Sequence, residues 1–85
     1  MKFKERRREM IVIKDLSERA LKELKANIGA LCYNVVEMGA PDTYKVTLNE
    51  RARISYKAGG AHVFIEYQDR NCILDLNDFA TMEIL

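Results

Sequence analysis

Between Leu16 and Gly39, apolar residues recur at Leu21, Leu24, Ile28, Leu31, Val35 and Met38, in alternating steps of three and four. On an α-helix that spacing lines them along one side. Glu18, Arg19, Lys22, Glu23, Lys25 and Glu37 fall mostly off this seam. Glu18 with Lys22 and Arg19 with Glu23 are four apart, as opposite charges on a wet helix face should be. Asp15 offers an N-cap with Glu18 three residues on, and Gly39 followed by Pro41 offers a stop. The pattern predicts one long helix opening at Asp15 and closing at Gly39. Gly29 allows a second reading, because a helix-interior Gly costs up to about 1 kcal/mol relative to Ala. In that reading the chain breaks there and Leu31-Cys32-Tyr33-Asn34-Val35-Val36, a β-friendly run, forms a strand.

After Pro41 the period changes to 2. Tyr44, Val46 and Leu48 alternate with polar neighbours, as do Ile54 and Tyr56, then Val63, Ile65 and Tyr67, then Cys72, Leu74 and Leu76. Four strands are expected, and a slip of one residue in any pairing would turn a strand inside out. A two-residue Gly59-Gly60 turn sets Tyr56 opposite Val63 and Ile54 opposite Ile65. An Asp69-Arg70 turn sets Tyr67 opposite Cys72 and Ile65 opposite Leu74. A three-residue Asn49-Glu50-Arg51 loop sets Val46 opposite Ile54 and Tyr44 opposite Tyr56. Every inner residue then agrees, which places Tyr44, Tyr56 and Tyr67 in the core.

The expected fold is α+β: a four-stranded antiparallel meander with one long helix packed on one face, plus a short N-terminal strand at Met10-Ile11-Val12-Ile13 that is apolar on both sides. In the tail, Asp78 either caps a helical turn carrying Phe79, Met82, Ile84 and Leu85 or the chain extends along the sheet. Either way these residues can fold back over the outer face. That face carries Arg53 beside Glu66, Lys57 beside His62, Phe64 beside Asp75, and Ile73. Lys45, Arg53 and Lys57 are expected to lie towards one side of it.

The chain has 85 residues, enough for one domain with a small core. Residues 1–9 read as a charged arm and 10–85 as a single domain. The arm, with Arg6, Arg7 and Arg8, carries a net +3 against −2 for the remainder, and from Glu66 onward only Arg70 opposes five acids. This near-neutral balance argues against a broad phosphate-binding surface, although the arm offers RNA a local contact. Cys32 and Cys72 are too few and too far apart for a disulfide framework, and no signal-peptide pattern is evident. Two buried thiols in a reducing cytoplasm are expected. The longest apolar run, Met10 to Ile13, is far short of the roughly 20 residues that cross a bilayer.

Little here points to catalysis. His62 is the sole histidine, so no two-histidine metal site is expected, and Gly59-Gly60 is explained by a hairpin rather than a phosphate cradle. Ser17 and Ser55 have no base nearby in the expected fold, and buried thiols make poor nucleophiles. No cofactor or metal is expected. The sequence reads as a small non-catalytic module that binds another macromolecule, most naturally a protein, as a regulator or inhibitor. Its candidate contacts are Lys45, Arg53, Lys57, Phe64, Ile73, Arg6, Arg7 and Arg8. A homodimer through the helix seam is a further arrangement, although the seam spans under three heptads and the sheet needs it.

The segment Ser17-Glu18-Arg19-Ala20-Leu21-Lys22-Glu23-Leu24 resembles the helix of the RelE/ParE toxins of toxin-antitoxin pairs. Arg53-Ile54-Ser55-Tyr56 followed by Val63-Phe64-Ile65 resembles their paired central strands. The resemblance covers about residues 10–76 and rests on short, common motifs. It implies an mRNA-cleaving or gyrase-directed toxin, with Lys45, Arg53 and Arg70 as its cationic groups.

Overall fold

A computed structural model of the chain describes residues 8–57 and 62–85, with only the backbone described for Lys57. In chain order the elements are β1 (Met10–Lys14), α1 (Glu18–Ala26), β2 (Cys32–Glu37), β3 (Tyr44–Leu48), β4 (Arg53–Lys57), β5 (His62–Tyr67), β6 (Arg70–Asp75), a 3₁₀ turn (Leu76–Asp78) and β7 (Thr81–Ile84).

The helix is short. Ser17, extended at φ −70° and ψ 157°, is its N-cap and accepts from the Ala20 N–H at 3.1 Å. Asp15, expected in that role, sits in the left-handed region at φ 56° and turns β1 towards the helix. At the other end the Asn27 N–H returns to Leu24, its side-chain amide donates to the Glu23 carbonyl at 2.8 Å, and Gly29 takes φ +94°. The long helix to Gly39 is therefore overturned, and the break near Gly29 with a strand after it is what forms. The seam misled for a geometric reason. A spacing of four is one helical turn, but it is also two strand repeats, so Leu31 and Val35 did not exclude a strand; Val35 does lie in β2, while Leu31 is buried in the turn before it. Ile28 and Met38 fit only the helix, and they stand 47% and 41% exposed.

The strands make two sheets, not one meander. The first runs in the order β2-β3-β1-β7 and the second β4-β5-β6, all neighbours being antiparallel. β3 does not turn back on β4. It pairs with β1 through Ile11↔Val46 and Ile13↔Tyr44, and with β2 through Val35↔Val46. Matching of inner faces could not distinguish these choices, since Ile11 and Ile13 satisfy the alternation of β3 as well as Ile54 and Tyr56 would. Asn49 holds the step between sheets. Its side-chain amide donates to the Ala30 carbonyl at 2.7 Å, and its N–H to Leu31 at 2.9 Å.

β4 and β5 pair as the sequence predicts, with Ile54↔Ile65 and Tyr56↔Val63; the Gly59-Gly60 turn itself lies outside the described residues. β5 and β6 pair two residues away from the expected register, with Ile65↔Cys72 and Tyr67↔Arg70. The turn is at Gln68-Asp69, where Gln68 takes φ 55°. A two-residue shift keeps every side chain on its face. It nevertheless puts Ile73, not Asp75, beside Phe64.

The inner faces of both sheets and the helix share one core, including Ile11, Ile13, Ala20, Leu24, Leu31, Val46, Ile65 and Leu74. Tyr44 and Tyr67 pack against it, but Tyr56 is 56% exposed, contrary to expectation. The tail takes the extended route, β7 pairing with β1 through Ile13↔Met82 and Ile11↔Ile84. It does not cover Ile73, which remains 40% exposed.

Candidate partner-binding surface

The three-stranded sheet presents its outer face as a grid whose rows follow from the register. Arg53, Glu66 and Asn71 form one row, Ser55, Phe64 and Ile73 the next, and Lys57, His62 and Asp75 the third. An apolar centre thus lies between two polar rows of mixed charge. Four of the residues singled out from the sequence, Arg53, Lys57, Phe64 and Ile73, share this face by register. Lys45 does not; it lies on the four-stranded sheet between Val12 and Val36. The β3 strand that carries it was assigned to the wrong neighbour, so its place moved with it. Arg8 stacks 4.0 Å above the Tyr33 ring and reaches Glu50 at 3.7 Å, while Arg6 and Arg7 lie outside the described residues. Arg70 points to the end of the helix, with a 3.4 Å contact to Asn27.

Two pairs of polar groups in the grid are engaged with each other. His62 Nδ1 lies 2.6 Å from Asp75 Oδ1, and the Ser55 hydroxyl donates to Glu66 at 2.7 Å. Glu66 and His62 flank Phe64 on opposite sides along β5, so the Ser55 hydroxyl is directed away from the imidazole. The pair does not make a nucleophile and base. Both cysteines are free and buried, and burial pushes Cys32 up to about 12 and Cys72 up to about 11. Neither is a thiolate at neutral pH. Among the described residues no cluster of His, Cys, Asp or Glu fits a metal ion, and no helix is long and apolar enough to cross a membrane.

Two features escaped the sequence reading. One is Asp78, 6% exposed, which accepts from the Ser17 hydroxyl at 2.7 Å, from Arg19 at 2.5 and 3.3 Å and from the Asp75 N–H at 2.9 Å. These bonds, led by that from Arg19, hold its carboxyl down at about 2. Arg19 also donates to the Ile73 carbonyl at 3.1 Å, which ties the helix to β6. The sequence signal at Asp78 was a cap, read for a helix of its own instead of the distant one it secures. The second is an open groove of about 380 Å³ between the β4–β5 hairpin and β7, lined by Tyr56, Val63, Leu76, Phe79 and Met82. Its signal was the apolar tail, whose partner strand could not be known. Comparison with protein-family models, with curated proteins and with solved structures finds no match to this chain.

Proposed function

We propose that the chain is a non-catalytic module that binds another protein through the outer face of β4–β6, as a regulator or inhibitor. The observation that carries this reading is the Phe64–Ile73 pair set between the rows of Arg53, Glu66 and Asn71 and of Lys57, His62 and Asp75. An apolar centre with a charged rim is how protein interfaces are commonly arranged, and the mixed signs favour a protein over a phosphate backbone. The two free thiols suit a reducing compartment, and we place the protein in the cytoplasm on that ground.

The test is capture from a lysate with the full chain, repeated with Ile73→Asp and with Lys45→Glu. Ile73→Asp should abolish capture of a specific protein while Lys45→Glu, on the other sheet, leaves it intact. Capture that survives Ile73→Asp, or recovery of RNA alone, sinks the reading. A second reading is the RelE/ParE-like toxin, favoured by Arg53 sharing the outer face with the His62–Asp75 pair. It requires growth arrest on expression that Arg53→Ala relieves.

A further inference from the structure

Beyond the outer face, the free edge of β7 forms a separate surface. In the four-stranded sheet β7 pairs with β1 on one side, and among the described residues no strand pairs with it on the other. The Leu85 N–H donates to the Met10 carbonyl at 2.9 Å, which fixes the phase of the ladder. Glu83 and Leu85 therefore aim their backbone groups at β1, while Met82 and Ile84 aim theirs outward. The other three edges are blunted: β4 carries Arg53, β2 has a register shift between Cys32 and Asn34, and on β6 the Ile73 carbonyl already accepts from Arg19 of the helix. β7 has no lysine, proline or bulge.

The core is also unfinished beside this edge. Tyr56 belongs by register to the inner face of β4, and Ile84 to the inner face of β7, yet they are 56% and 47% exposed. The groove lies between the two edge strands, with Met82 on one wall and Tyr56 and Val63 on the other. A single added strand would satisfy the Met82 and Ile84 backbone groups and place its own inward side chains in that groove.

Charge then selects the occupant. An antiparallel strand that uses all the outward groups of Met82 and Ile84 places one of its residues directly opposite Glu83, in the non-hydrogen-bonded position where side chains stand closest. In the same register a second copy of β7 sets Glu83 against Glu83, so this acid discriminates against self-pairing. We infer that the β7 edge accepts an extended segment of a partner protein, with alternating apolar residues facing the groove and a lysine or arginine opposite Glu83.

Two synthetic seven-residue peptides of alternating valine and threonine, one with lysine and one with glutamate at the centre, test this on the full chain by amide hydrogen exchange. In the free protein the Met82 and Ile84 amides should exchange faster than that of Glu83. The lysine peptide should protect them and bind about fivefold more tightly than the glutamate peptide. Glu83→Lys should reverse that preference, and Ile84→Pro, which removes an outward N–H, should abolish binding. Absence of protection by either peptide overturns the inference. So does a preference indifferent to Glu83→Lys, or a concentration-dependent dimer whose Met82 and Ile84 amides are already protected. Ile73→Asp should leave peptide binding unchanged, so failure here and failure of the outer-face reading are told apart.

Discussion

At Asp78 four donors from three residues converge on one carboxylate, and together they join the start of the helix to the end of β6. Because its folded pKa of about 2 lies below the ordinary 3.8, Asp78 contributes stability above about pH 4 that is lost as pH falls towards 2. The Arg19 side chain is 56% exposed, so solvent screens part of the pairing. Denaturant melts should lose on the order of 1–2 kcal/mol across that window, and Asp78→Asn should flatten the dependence there while lowering stability at pH 7. The neighbouring cap can be tested separately. Ser17→Ala should cost about 1 kcal/mol, whereas Asp15→Gly, at a left-handed position, should be neutral or stabilising. Had Asp15 capped the helix, as its sequence context suggested, the loss would fall on Asp15 instead. The thiols give a further check: Cys32 and Cys72, buried with raised pKa values, should resist a thiol reagent at neutral pH until the protein unfolds.

Among the elements, the decisive position is Gly29. Its φ of +94° costs an L-residue strain, although an added Cβ would meet nothing within 4 Å. Gly29→Ala should therefore destabilise by about 1 kcal/mol in a thermal or urea melt. In a continuous helix the same change would stabilise by a similar amount, so the sign separates the two structures. The sequence contained the cue, in the glycine followed by a run rich in aromatic and β-branched residues, but the seam at steps of three and four outweighed it. The β4–β5 pairing was legible because a short loop leaves few registers and only one matches both inner faces. The β5–β6 turn was legible only to within two residues, since both candidate turns bury the same side chains. Its true place decides which residue meets Phe64, so the apolar centre of the outer face was half read: Phe64 and Ile73 were both named, but not as neighbours.

At the scale of the whole molecule, the core joins residues from every part of the chain, with Ile11, Leu24, Val46, Ile65 and Leu74 in one cluster. Leu24→Ala or Ile65→Ala, both sites being fully buried, should cost about 2–5 kcal/mol in denaturant unfolding. The alternation of apolar and polar residues determined by itself that strands form at Tyr44–Leu48, Arg53–Lys57, His62–Tyr67 and from Cys72 onward, and which side of each faces inward, while the apolar run at Met10-Ile11-Val12-Ile13 marked a strand without choosing its side. It did so because side-chain direction in a strand is a local consequence of the backbone. Which strands become neighbours was decided only by the tertiary structure. β1, apolar on both faces, drew β3 and β7 to its two edges, and many pairings of equal parity compete until the chain closes round its core. That choice carried Lys45 away from Arg53, brought Asp78 to the helix N-terminus, and left Met82 and Ile84 along an open edge.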